Sequence, residues 1–127
     1  VELTYGLERI CMFTQGKNNV FELDWNNENI KYKDIFYQAE KEYSAYNFEF
    51  ANTESLLKNF EIAELECKFL LEKQLSLPAY DQCLKASHIF NLLDARGVIG
   101  VAQRAEFISR IRELAKGSGQ SWLESQK

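Results

Sequence analysis

The chain has 127 residues, 46% hydrophobic and 27% charged, with 15 basic and 19 acidic side chains and a formal net charge of −4. That length allows one medium domain, or one domain with a fragment of another, and the composition is that of a soluble globule, not of a disordered chain. No apolar run approaches the ~20 residues a membrane helix needs, no signal-peptide pattern appears, and the acidic balance excludes a polycation that binds nucleic acid by charge alone.

The first fifteen residues organise the reading. Val1 to Tyr5 alternate, one glycine follows, and Leu7, Ile10 and Cys11, with Met12 and Phe13 less regularly, continue at helical spacing. The pattern predicts strand, close turn, helix. Glu2 and Thr4 would share one strand face, and Gly6, with no Cβ, would let a flat ligand lie on the backbone. Arg9 falls in the first helical turn, where its guanidinium can stack on a ring or fork onto phosphate oxygens. Gly16-Lys17-Asn18-Asn19 supplies the stop.

Phe21, Leu23 and Trp25 are expected to pin a connector to the preceding core, with room for a short edge strand. Asp34 is expected to cap a helix through about Tyr43 carried by Ile35, Phe36, Ala39 and Tyr43. The dense aromatics Tyr43, Tyr46, Phe48 and Phe50 read as core, with a base-stacking platform as the alternative. Asn52-Thr53 opens the clearest helix, striped by Leu56, Phe60, Ala63, Cys67 and Leu70, with Glu61, Glu64, Glu66 and Lys68 as solvated decoration. Ser76-Leu77-Pro78 ends it, and a second helix runs from Pro78 or Ala79 to Ala95 with Cys83, Ala86, Phe90 and Leu93 in one row. A third is expected from Val101 to about Lys116 on Val101, Ala105, Ile108, Ile111 and Ala115, with Glu106 and Arg110 as a surface pair. Gly117-Ser118-Gly119 is expected to break it, and Trp122 and Leu123 to restart a final turn.

Cys11, Cys67 and Cys83 are an odd, widely spaced set without a C-x-x-C, so each reads as a buried small hydrophobe in a reducing compartment, and with one histidine no metal site is expected. A Cys83/His88 pair fails on geometry, because five helical residues turn ~500° and the side chains diverge. His88, Asn91, Asp94 and Arg96 share one helix; a buried polar network is the preferred reading, and a surface for a partner subunit or a tRNA acceptor stem the other. Charge is uneven: residues 21–75 carry twelve acids and six bases, residues 76–119 four acids and six bases. The later basic excess could face RNA or an acidic partner, although solvated helix surfaces account for most such imbalances.

Gly6-Leu7-Glu8-Arg9-Ile10 resembles motif 3 of the class II aminoacyl-tRNA synthetases, and Glu2 to Arg9 as a whole is similar to its version in the glycyl-tRNA synthetase alpha subunit of the bacterial two-subunit type. Tyr46-Asn47-Phe48-Glu49-Phe50, Leu77-Pro78-Ala79-Tyr80 and the stretch from Ser87 to Arg96 resemble the same family in the same order, covering the chain to about Lys116. The resemblance implies a mainly α piece. A helical bundle would follow a strand-helix remnant of an antiparallel-sheet catalytic core, and the intact subunit would be α+β. The expected division is 1–18 for the end of that core, 19–29 for a connector and 30–127 for a helical domain, together the C-terminal portion of the subunit.

By resemblance, Arg9 is the catalytic, ATP-binding arginine, Gly6 joins it at ATP, and Glu2 and Thr4 bind glycine. The family implies glycine activation by ATP with magnesium and transfer to tRNA(Gly). It also implies an alpha dimer joined to beta subunits in an α2β2 assembly, a cytoplasmic location and no membrane. Class II motifs 1 and 2 are not in the chain, so the piece alone is expected to be inactive. The alternative is a non-catalytic helical module that binds protein or RNA.

Overall fold

A computed structural model describes residues 3–26 and 28–127. Five α-helices dominate the described residues: α1 Leu7–Thr14, α2 Tyr32–Ala45, α3 Thr53–Glu72, α4 Ser76–Ala95 and α5 Val101–Glu124. A 3-10 turn occupies Val20–Glu22 and a π-helical turn Tyr46–Phe50. The mainly α class is the one expected. The strand before α1 is not formed among the described residues, because a lone strand leaves its N–H and C=O groups without a ladder. The one bridge present pairs Asp24 with Lys31. The chain divides into two compact units, Val1–Tyr46 and Asn47–Lys127.

In the first unit, α1 ends as the sequence requires. Gly16 takes φ +62°, its N–H reaches Phe13 O at 3.2 Å, and Lys17 N reaches Met12 O at 2.8 Å, a Schellman closure. Gln15 then clamps the connector backbone: its Nε2 donates to Asp24 O at 3.1 Å and its Oε1 accepts from Asp24 N at 2.8 Å. Asp34 is not the cap of α2. It stands at the third helical position, where its carboxylate accepts from Lys31 N at 2.8 Å, the reciprocal half of a capping box. Phe21 meets Tyr37 edge-on at 5.1 Å, while Trp25 leans on Phe36 at 5.4 Å. The connector thus packs on the helix that follows it. Leu23 is buried, whereas no residue of α1 or α2 is.

In the second unit α4 packs on α3 and on α5, and α3 and α5 also touch each other. Asn52 caps α3 by accepting from Ser55 N at 2.9 Å, as its residue type predicts. Leu56, Phe60, Ala63 and Cys67 face Cys83, Ala86, Phe90 and Leu93, all buried as expected, with Leu70 partly buried and Ala79 joining the second row. Phe107 closes the core against Phe60 at 4.7 Å and Phe90 at 5.9 Å.

α5 departs from expectation twice. Its buried residues are Phe107, Leu114 and Ser118, whereas Val101 is 92% exposed, since turning the larger Phe and Leu inward removes more apolar area from water. Also, Gly117-Ser118-Gly119 continues the helix to Glu124. A Cβ on Gly117 would lie 2.9 Å from Leu71 Cδ1, so the missing side chain permits close approach to α3, and Ser118 Oγ donates back to Leu114 O at 2.8 Å. Tertiary contact overrides the weak local propensity.

The aromatics expected as core, Tyr43, Tyr46, Phe48 and Phe50, are exposed, Phe50 by 75%. The π-helical turn winds five residues with i→i+5 spacing and points these rings outward instead of in one row.

Candidate functional site

The stretch singled out from the sequence leads into α1. Gly6 is its N-cap residue, with φ −77° and ψ 93°, and Leu7, Glu8 and Arg9 form its first turn. The Gly6 backbone is in a region open to any residue, so conformation does not demand glycine there. Nor does space demand it, since a Cβ there would make only ordinary van der Waals contact. A Cβ built on Gly6 would meet Arg9 Cδ at 3.6 Å and Cγ at 3.7 Å, so the aliphatic stem of Arg9 lies back over the bare backbone. Gly6 and Arg9 are therefore brought together. Arg9 is exposed, and among the described residues it has no carboxylate partner. A cation in the first turn also opposes the positive end of the helix dipole, a cost of about 0.3–1 kcal/mol at an exposed position. Among the described residues no carboxylate offsets that placement; an anionic ligand would. Thr4 is exposed, and Glu2 lies outside the described residues.

The second unit holds ion pairs of a different kind. Glu64, expected as solvated decoration, is buried. Arg110 grips both its carboxylate oxygens, Nε lying 3.2 Å from each with a further short bond from Nη2, and Lys68 adds a bond of 2.9 Å. The guanidinium also lies over the rings of Phe60 at 4.7 Å and Phe107 at 5.1 Å. The hydrogen bond from Arg110 leads in holding the Glu64 carboxyl below its ordinary range, against the opposing effect of burial. This cluster was missed, yet its signal was present: Glu64 stands four residues after Phe60, inside the apolar stripe. The surface pair expected for Arg110, Glu106, is its distant partner at 3.9 Å.

The polar network expected on α4 is not formed. His88 and Asn91 are exposed. Asp94 pairs with Arg104 of α5 at 3.1 Å, and Arg96 donates to Ala51 O at 2.8 Å, so these two residues make separate staples. The helical advance of 100° per residue fans the four side chains around α4 instead of gathering them. Of the cysteines, Cys67 and Cys83 are buried as expected, and burial pushes both thiols up. Cys11 is exposed, because α1 has too few neighbours to cover it.

No cluster of three or more His, Cys, Asp or Glu side chains able to hold a metal exists among the described residues. No described helix is long and apolar enough to cross a membrane. The family model of the glycyl-tRNA synthetase alpha subunit matches residues 1–127, the whole chain. With the Gly6–Arg9 arrangement in place and the order of motifs accounted for, the chain belongs to the glycyl-tRNA synthetase alpha subunit family and takes its general role from the aminoacylation of tRNA.

Proposed function

We propose that the intact subunit activates glycine with ATP and that Glu2, Thr4, Gly6 and Arg9 supply part of the two substrate sites. In this reaction a glycine carboxylate oxygen attacks the ATP α-phosphorus, pyrophosphate leaves, and the glycyl group passes from the adenylate to the tRNA(Gly) 3′ end. The observation that carries the reading is Arg9, an exposed guanidinium without a carboxylate among the described residues, folded over a residue that has no side chain. Its fork of donors suits phosphate oxygens and its plane suits a purine.

Glu2 meets the substrate ammonium and Thr4 offers a hydroxyl in the same pocket. A charge-assisted bond of that kind contributes about 1.5–3 kcal/mol. It orients glycine without selecting it, since every amino acid carries the ammonium; selection comes from excluding a side chain. The magnesium that the family implies would be held by residues outside this chain, and this chain's residues bind and orient the two substrates. The beta subunit, an alpha dimer within α2β2, a class II catalytic core and a cytoplasmic location complete the proposal, and the 127-residue chain alone is inactive in it.

The test is glycine-dependent ATP–pyrophosphate exchange by the intact alpha subunit with its beta partner, comparing wild type with Arg9→Ala and Glu2→Gln. Exchange should fall at least about a hundredfold in both, consistent with removing one charged donor or acceptor from the reacting substrates. Normal exchange in both variants, with helicity retained, removes these residues from the sites. Exchange by the 127-residue chain on its own removes the claim of inactivity.

A further inference from the structure

The first unit contains a groove of about 440 Å³ that the glycine and ATP assignments leave unused. Its volume falls within the ~300–1,000 Å³ typical of small-molecule sites. Three rings wall it: Trp25 contacts Phe36 at 5.4 Å, and Tyr32 contacts Phe36 at 4.5 Å. Ring faces carry negative electrostatic potential and attract cations, with gains of about 0.5–2 kcal/mol per contact.

The polar wall has the same sign. Glu8 and Asp24 line the groove, and no lysine or arginine does. Asp24 is already spoken for: its carboxylate bonds Lys31 Nζ, which leads in holding it below its ordinary range. Glu8 accepts one long hydrogen bond, from Tyr32 Oη at 3.5 Å. Burial, ahead of the charges of Glu8 and Glu40, pushes the Tyr32 phenol up. Arg9 does not line this groove. It lies about 100° around α1 from Glu8, on the side away from Leu7, Cys11 and Gln15.

Each class of occupant meets a different balance. An anion meets the Glu8 carboxylate beside an aromatic wall, with Asp24 already paired to Lys31. A neutral apolar molecule covers the rings but strips water from Glu8 and returns nothing, which costs more for a charged group than for a neutral one. An alkylammonium ion lays its methyl or methylene groups on the rings and its charge at Glu8. We infer that the groove between α1, the connector and α2 binds a small alkylammonium cation, with Trp25, Tyr32 and Phe36 as the cage and Glu8 as the counter-ion.

The chain carries its own reporter. Cys11 lines the groove and is exposed, whereas Cys67 and Cys83 are buried, so a neutral alkylating reagent such as iodoacetamide reacts at one position in the folded protein. The probes are choline and its neutral isostere 3,3-dimethylbutan-1-ol, titrated into the 127-residue chain while the rate of Cys11 alkylation is followed. Choline should slow the reaction several-fold and saturate, with the alcohol at least tenfold weaker. In Glu8→Gln that preference should fall to the few-fold that ring contacts alone supply, while Tyr32→Phe, which keeps the ring, should retain it in full. Equal protection by both probes in the wild type overturns the inference, as does protection by neither. These wild-type outcomes decide the matter even where Glu8→Gln does not fold. A folded Glu8→Gln that keeps the full tenfold preference for choline overturns it too.

Discussion

The two units solve the problem of holding helices in place by opposite means. In Asn47–Lys127 the helices bury two facing rows and a ring trio, and Phe60, Leu93 and Cys67 are fully enclosed. In Val1–Tyr46 the helices bury none of their residues, and order rests on the Gln15 clamp, a Schellman turn and ring contacts along the connector. Apolar burial contributes about 25 cal/mol per Å², whereas an exposed hydrogen bond contributes about 0.5–1.5 kcal/mol net. An amphipathic sequence pattern is therefore no guarantee of burial. Leu7, Ile10 and Phe13 have the spacing of a core face and remain in water.

The sharpest way to break that contrast is to truncate one phenylalanine in each unit. Phe60→Ala should destabilise the second unit by about 3–5 kcal/mol, whereas Phe13→Ala, at 88% exposure, should fall within about 0.5 kcal/mol of wild type. Urea unfolding followed by far-UV circular dichroism measures both; equal effects would show that the two helical faces are covered alike in solution.

Next comes charge within the core. Glu64→Gln leaves Arg110 without its carboxylate and should cost about 1.5–3 kcal/mol at neutral pH. Because the folded-state Glu64 carboxyl lies below its ordinary value of 4.5, its stabilisation is fully present above that value and is lost as pH falls through the lower folded-state value. The wild type should therefore approach the variant in stability as pH drops below about 4.5. A difference that stays constant from neutral pH into that acid range would assign the effect to packing instead.

The smallest effect compares two turns of the second unit. α3 and α4 both end in Schellman closures: Gln74 N bonds Leu71 O at 2.9 Å and Leu75 N bonds Leu70 O at 2.9 Å, while Gly97 N bonds Asp94 O at 3.0 Å and Val98 N bonds Leu93 O at 3.3 Å. Both pivots are left-handed, at φ +59° for Gln74 and +67° for Gly97, yet only one is glycine. Gln74→Gly should stabilise by about 1 kcal/mol and Gly97→Ala should destabilise by a similar amount. A thermal melt that moves the same way for both would place the strain elsewhere.

These comparisons also show what could be read from residues alone. The Asn52 cap, the stops at Gly16 and Gly97 and the facing rows of α3 and α4 were legible because each depends on local chemistry or on periodicity. The strand before Gly6 was not, since strand formation depends on a partner absent from the described residues. Nor was the course of α5 through Gly117, which hangs on the proximity of Leu71. At the candidate site, the adjacency of Gly6 and Arg9 follows from three-residue spacing in a first helical turn. The groove beyond α1 depends on Gln15 reaching nine residues along the chain to the Asp24 backbone, and no periodicity announces that.

The short turns of the second unit carry a further consequence, for folding time. α3, α4 and α5 meet mainly as sequence neighbours, so most pairings close small loops, a topology associated with microsecond-to-millisecond folding. The bond from Arg110 to Glu64 spans 46 residues, so it closes one of the long loops among the contacts described above. A contact that closes after the hairpins would govern opening more than assembly, so Glu64→Gln should raise the unfolding rate more than it lowers the folding rate.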